Sequence, residues 1–298
     1  MTPHAATFDI LARLIAFPTV SADSNLALID YVEGLLQAAG FATQRFPDPD
    51  GLKSGLVARI GPEGPGGVML SAHSDVVPVA GQAWTRPPFE MTREGDKLFG
   101  RGTTDMKGFL ASMLSLAQRT AAAPLLEPLM LAISYDEEVG CQGIRKMLPG
   151  FQALGWKPAL CIVGEPTLMK PATGHKGKAA FRATCHGIAG HSALAPRYVN
   201  ALHLAADFIG ALRDIQNDYA ASGVQDGIYD IPYSTVHAGV MQGGTALNIV
   251  PECATIDFEL RHLPADELQV FQEKLAVAVE RIIAVNDKES AGSRIDVE

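Results

Sequence analysis

The segment ISYDEEVG, residues 133–140, constrains this chain more than any other, because an apolar run closes on three consecutive carboxylates, Asp136, Glu137 and Glu138. Adjacent like charges repel, and burying even one without a partner either costs several kcal/mol or forces it to take up a proton. A chain with this segment must leave it on a solvated loop or gather positive charge around it. The other segments that end in the same way decide between the two.

Three do. His73 ends GVMLSAH, Glu165 ends PALCIVGE, and Asp105 lies in GRGTTDMKG, a Gly-rich loop just before a predicted helix. Taken singly, each has an ordinary explanation: a strand-end His–Asp pair, a turn, or a helix cap. Taken together, they follow apolar runs in succession. Ligands of open α/β sheets bind outside the carboxyl ends of the strands, so four potential metal ligands from four segments would converge on one edge. One histidine with several carboxylates is the donor set of zinc, cobalt or manganese rather than of calcium or a thiolate site. The sequence therefore favours compensated charge over a solvated loop.

The elements implied around these residues form an α/β pattern. Apolar positions recur at helical spacing over 7–16 and 24–39, and the second run stops at Gly40. SGLVARIG and GVMLSAHSD read as strands separated by the turn GPEGPGG, and TDMKGFLASMLSLAQRT as a helix. LMLAISYDEE and PALCIVGEP read as buried strands on either side of a short helix, GCQGIRKMLPGF. Buried runs alternating with helices predict a mostly parallel sheet with helices on both faces. The pattern changes near residues 172–176. Beyond it, GKAAFRATCHG, YSTVHAGVMQGG and ATIDFELRHLP are strand-like, and ALHLAADFIGALRDIQND and ADELQVFQEKLAVAVERIIA are helical. This predicts a smaller α+β unit of ferredoxin-like type. The terminal SRIDVE begins one more strand.

Composition excludes several classes. A net charge of -9 is wrong for a general nucleic-acid binder. No apolar run approaches the roughly 18 residues that span a bilayer. The N-terminal MTPHAATFDILARLIAFPTVS lacks a basic stretch followed by an apolar core, so no secretory signal is expected. Cys141, Cys161, Cys185 and Cys253 form no C-x-x-C pair, which suits free thiols in a reducing cytoplasm. No G-x-S-x-G nucleophile elbow and no G-x-x-x-x-G-K-[ST] phosphate loop is present.

SAHSDVVP, LFGRGTTDMKGF, ISYDEEVG, VGEPT and GHSA resemble, in kind and in order, the motifs of the M20 metallopeptidase family, and the likeness runs over essentially the whole chain. GHKGKAAF, AWTRPPFEMTREGDKLFGRG and FELRHLP look most like the members that deacetylate N2-acetylornithine in arginine biosynthesis. The resemblance implies a metal-dependent amidohydrolase with two zinc or cobalt ions. His73 and Glu165 would hold one ion, Glu138 would help hold the second, and Asp105 would bridge them. Asp75 would orient His73, and Glu137 would be the general base. On an extended segment, neighbours point in opposite directions, so Glu138 would face metal while Glu137 faces the activated water. His191 in GHSA resembles the family's lid histidine, which serves the other subunit of a homodimer. Arg261 resembles the clamp on the substrate carboxylate, and Asn248 the substrate-side asparagine. The implied organisation is a catalytic domain over 1–174, an inserted lid and dimerisation domain over 175–290, and the start of a return to the catalytic domain over 291–298.

In the family, that return supplies a last histidine ligand on the Glu138 side. The histidines here are His4, His73, His175, His186, His191, His203, His237 and His262, and none lies in a matching segment. The expectation is a chain truncated relative to its family, with a second metal site short of one ligand and an uncovered apolar sheet edge. Two further readings stay open: another M20 deacylase, such as a succinyl-diaminopimelate desuccinylase, and a truncated, non-catalytic dimerisation module.

Overall fold

The computed structural model describes residues 3–120, 124–287 and 292–298. It consists of two compact units that divide between Pro171 and Ala172. The first contains α1 (Pro3–Ile15), α2 (Leu26–Ala38), β1 (Ala42–Pro47), β2 (Ser54–Ile60), β3 (Val68–His73), β4 (Thr92–Glu94), β5 (Lys97–Phe99), α3 (Lys107–Thr120), β6 (Leu129–Ser134), α4 (Gln142–Ala153) and β7 (Leu160–Val163). Its main sheet has the order β1-β2-β6-β3-β7, and β4 and β5 form a separate hairpin. β6, β3 and β7 run parallel, while β2 is antiparallel to both its neighbours. Four of the five strands thus point the same way.

Side-chain alternation along the strands builds two cores. Leu56 and Ala58 of β2, Ala72 of β3, and Leu131 and Ile133 of β6 pack with Leu14, Ile15, Leu28, Val32, Leu110 and Leu114 of α1–α3. The intervening Val57, Met69, Met130 and Ala132 point the other way and pack with Met147 and Phe151 of α4. Burying each Leu or Ile contributes roughly 1.5–3 kcal/mol, so both sheet faces are committed. Helices on both faces follow.

β7 is an exception. The sequence reads it as buried, yet as the edge strand it leaves Leu160, Ile162 and Val163 between 44% and 58% exposed. Apolarity alone cannot separate an interior strand from an edge strand.

The second unit contains β8 (Gly177–His186), β9 (Gly190–His191), α5 (Ala201–Ser222), β10 (Thr235–Gly243), β11 (Ile249–Val250), β12 (Cys253–His262), α6 (Leu268–Asn286) and β13 (Arg294–Val297). The sheet order β10-β12-β8-β13 with antiparallel pairs, and helices after β8 and β12, is the ferredoxin-like arrangement. Ala183, Cys185, Ile256, Phe258 and Leu260 meet Leu204, Phe208, Phe271 and Leu275 of the helices. The other sheet face carries ion pairs such as Arg182–Asp257, so the alternation read along β8 corresponds to one wet face. The expectation that 291–298 starts a return to the first domain is corrected here: β13 pairs with β8 and belongs to this sheet. Among the described residues, no helix is long and apolar enough to cross a membrane.

Candidate metal centre

The parallel trio sets the site. β3 lies between β6 and β7, so the carboxyl ends of all three open on one edge. His73 is the last residue of β3, Glu137 and Glu138 follow β6 by a few residues, and Glu165 follows β7. Asp105 precedes α3. The buried ring of His73 turns Nε2 toward these groups: Asp105 Oδ1 lies 3.1 Å away, Glu165 Oε1 3.7 Å and Glu137 Oε2 3.8 Å. Two overlapping groups, His73–Glu137–Glu165 and His73–Asp105–Glu138, each hold their ligand atoms within 4.8 Å of one another.

Asp75 organises the centre from behind. With a proton on Nδ1, the His73 ring donates to the Asp75 carbonyl oxygen at 2.9 Å, and Asp75 Oδ1 lies 3.4 Å from the same nitrogen. The Asp75 carboxylate also accepts from the backbone amides of Glu137 at 3.1 Å and Glu138 at 3.3 Å, and from the Ser21 hydroxyl at 2.6 Å. One residue thus fixes the imidazole, through its carbonyl, and the turn that carries both glutamates, through its carboxylate.

That turn corrects the extended geometry expected from the sequence. β6 ends at Ser134, and Asp136 adopts a left-handed φ of 51°. The amides of Gly140 and Cys141 then close the turn onto the Glu137 carbonyl at 2.9 and 2.8 Å. The alternation of a strand does not apply, and both glutamates reach the neighbourhood of His73. Asp136 takes no part. It is buried, pairs with Lys53 at 2.6 Å, and accepts from the amide of Ala22. The three consecutive carboxylates therefore have three different surroundings. Gly143 makes the close return possible, since a Cβ there would lie 2.0 Å from the Tyr135 carbonyl oxygen.

The electrostatics are those of crowded negative charge. Burial opposes a charged His73, but the hydrogen bond and charge of Asp75, with Glu165 and Glu137, prevail and raise the ring from 6.5 to about 9. Glu138 is pushed up by burial and then by the charge of Asp105. Glu165 is pushed up by burial, against the opposing pull of His73 and with Asp105 adding to it. A divalent cation among these oxygens would reverse that repulsion. One buried imidazole nitrogen facing several carboxylates fits such an ion.

Sequence reasoning missed two members. Ser21 holds Asp75 from 54 positions away and carries no local signal. Cys141 donates its thiol to Glu137 Oε1 at 3.2 Å. Burial, and then that hydrogen bond, push the thiol up, which keeps the proton on sulfur. Its position four residues after Glu137 was the only trace in the sequence.

His191, Asn248 and Arg261 lie in the second unit. β9 and β11 form a short ribbon in which His191 faces Ile249, and Ser192 donates to the Asn248 carbonyl at 3.0 Å. His191 and Asn248 are exposed, and His191 Nδ1 accepts from the Ala193 amide. Arg261 is half-exposed and paired with Glu259 at 2.9 Å.

A family model described as Peptidase family M20/M25/M40 matches residues 69–292. The chain is 34% identical to the acetylornithine deacetylase of Pectobacterium carotovorum over 281 residues, covering 92% of this chain and 72% of that protein. It is 34% identical to the acetylornithine deacetylase of Klebsiella pneumoniae over 284 residues, covering 92% and 73%. Among solved structures, an M20 family metallo-carboxypeptidase from Sulfolobus solfataricus, Sso-CP2, aligns with a TM-score of 0.74 at 18% identity, covering 98% of this chain and 77% of that one.

Proposed function

The chain belongs to peptidase family M20/M25/M40, and on that premise we propose that it hydrolyses the amide bond of N2-acetylornithine, releasing ornithine and acetate. The carrying observation is the convergence of Asp105, Glu137 and Glu165 within 3.1–3.8 Å of one buried imidazole nitrogen. In this reading His73 and Glu165 would hold one ion, Glu138 would help hold a second, and Asp105 would serve both. Zinc or cobalt, when bound, would polarise the acyl carbonyl and acidify the attacking water.

The protein's own groups do the rest. Glu137 takes the proton of the attacking water and passes it to the leaving amine. Asp75 keeps the His73 ring in the tautomer that presents Nε2 and increases its basicity. Arg261 offers a guanidinium fork to the substrate α-carboxylate, with Asn248 beside it in the same role. His191, acting from a second copy in a homodimer, donates to the developing oxyanion. The 34% identity to two acetylornithine deacetylases supports the acetyl substrate, a step of arginine biosynthesis in the cytoplasm.

The test compares the metal-loaded protein on N2-acetylornithine and on N-succinyl-diaminopimelate. Release of acetate, abolished by Glu137→Gln with the metal content unchanged, is the expected result. Cleavage of the succinyl substrate alone would move the specificity to a desuccinylase. No cleavage of any acyl amino acid by metal-loaded protein would refute the reading.

A further inference from the structure

Glu137 and Glu138 are identical in chemistry and adjacent in sequence, yet their side chains are not equally free. The amides of both are held by Asp75. Beyond that they differ. The Glu137 carbonyl closes the turn through the amides of Gly140 and Cys141, and its Oε1 accepts from the Cys141 thiol at 3.2 Å. Among the described residues, no side-chain donor reaches the carboxylate of Glu138.

Cys141 occupies an unusual backbone position for this contact. Its φ of 54° and ψ of 37° lie in the left-handed region that favours glycine, and Gly140 before it has φ of 100°. The conformation is maintained by flanking backbone hydrogen bonds, from Gln142 to the Asp136 carbonyl at 3.0 Å and from Gly143 to the Tyr135 carbonyl at 3.1 Å. A strained residue that is over-determined by its surroundings at a reactive site is a reason to look for a role. Here the strained residue delivers a proton donor to one oxygen of one carboxylate.

We infer that Cys141 is a positioning residue, fixing the Glu137 carboxylate by donating its thiol hydrogen to Oε1 so that Oε2 faces the His73 cluster. This rests on the proposed role of Glu137 as the proton-transfer group. A carboxylate with both oxygens free can rotate, or take a cation with both at once. With Oε1 held, Glu137 keeps one oxygen for one task, 3.8 Å from His73 Nε2. Glu138, without such a donor, keeps both oxygens for a cation. The thiol thereby separates the tasks of two neighbouring glutamates, which their positions in the sequence do not.

Two measurements test this, and only one of them needs turnover. The infrared S–H stretch falls in a window free of other protein bands, and the difference spectrum of parent minus Cys141→Ser isolates this one thiol. In Glu137→Ala the band is expected to move to higher wavenumber as the carboxylate acceptor is lost; an unmoved band overturns the inference. In the metal-loaded enzyme, Cys141→Ala is expected to lower kcat about ten-fold, the scale of losing one hydrogen bond to a charged group. KM and bound metal should stay unchanged, since an interaction that acts on the proton-transfer group lowers kcat without altering ground-state binding. Cys141→Ser keeps a donor at the same place and should restore most of kcat. A Ser variant as slow as the Ala variant, or an Ala variant as fast as the parent, overturns the inference. A parent protein inert on every acyl amino acid would instead refute the proposed function, and the band shift would then decide the thiol–carboxylate contact by itself.

Discussion

Replacing Asp75 by Asn tests the electrostatic design of the centre at its most connected residue. The change keeps the shape, removes the charge, and turns one oxygen into a donor that faces either the Glu137 amide at Oδ1 or the Glu138 amide and Ser21 hydroxyl at Oδ2. Raising the His73 ring from 6.5 to about 9 corresponds to about 3 kcal/mol in favour of its charged form. A unit-charge pair 3.4 Å apart attracts by about 5 kcal/mol at an effective dielectric constant of about 20, so Asp75 alone can supply this against burial. Without it, burial is still opposed by Asp105 at 3.1 Å, Glu165 at 3.7 Å and Glu137 at 3.8 Å, but the partner on the Nδ1 side is gone. The ring should then titrate below the parent's value of about 9.

The stability consequence has a definite sign. A raised folded-state value means that His73 contributes stability fully present below pH 6.5 and lost as the pH rises through about 9. Lys107 acts oppositely, because burial lowers its ammonium from 10.5 to about 7. Its cost is present below pH 7 and disappears as the pH climbs toward 10.5. Melting curves would mix the two. The assay is therefore an NMR titration of the His73 ring in chelator-treated protein, parent against Asp75→Asn. A variant ring still titrating near 9 would refute the reasoning.

Three further outcomes are expected. Lys107→Met removes the bonds from the buried ammonium to the carbonyls of Leu14 and Phe17, which keep the amides of Phe17 and Thr19, and should cost about 1 kcal/mol in a urea titration above pH 10.5, where the burial cost of the charge is absent; an unchanged midpoint would contradict this. Gly143→Ala must move α4 away from β6 to clear the Tyr135 carbonyl, at a cost of about 1–3 kcal/mol, with a wild-type melting temperature as the contrary result. Zinc binding to the chelated protein at neutral pH should release about one proton per chain from His73, measurable by calorimetry in buffers of different ionisation enthalpy, and a buffer-independent heat would count against it.

Much of the centre was legible because its chemistry is carried by residue type at the ends of apolar runs. His73, Asp105, Glu138 and Glu165 stand out wherever β3, β6 and β7 are read as strands, and parallel pairing brings those ends together. The inward and outward residues of β8 and the helical stripes of α5 were equally readable, since each element shows its own period. Less was legible where partners are distant. Nothing near Asp75 indicates that it caps a turn 62 positions later, and nothing near Ser21 indicates Asp75.

The sequence by itself showed the long helices, the three parallel strands of the first sheet, the candidate donors at their ends and the family, because apolar period and residue type are local properties, while the short strands β1, β4, β5, β9 and β11 carry too little period to be read. Tertiary structure alone decided three other matters. It made Arg294–Val297 the edge of the second sheet rather than a return to the first unit, because the free side of β8 supplies the backbone partners. It placed the uncovered apolar edge expected from the sequence at β7, whose apolar residues meet solvent. It also bent the chain at Asp136 and tied the following turn to Asp75 and Cys141, so that three adjacent carboxylates have separate surroundings: one paired with Lys53, one held by a thiol, and one whose oxygens meet no side-chain donor among the described residues. Each of these depends on hydrogen-bond partners that only the folded chain brings within reach.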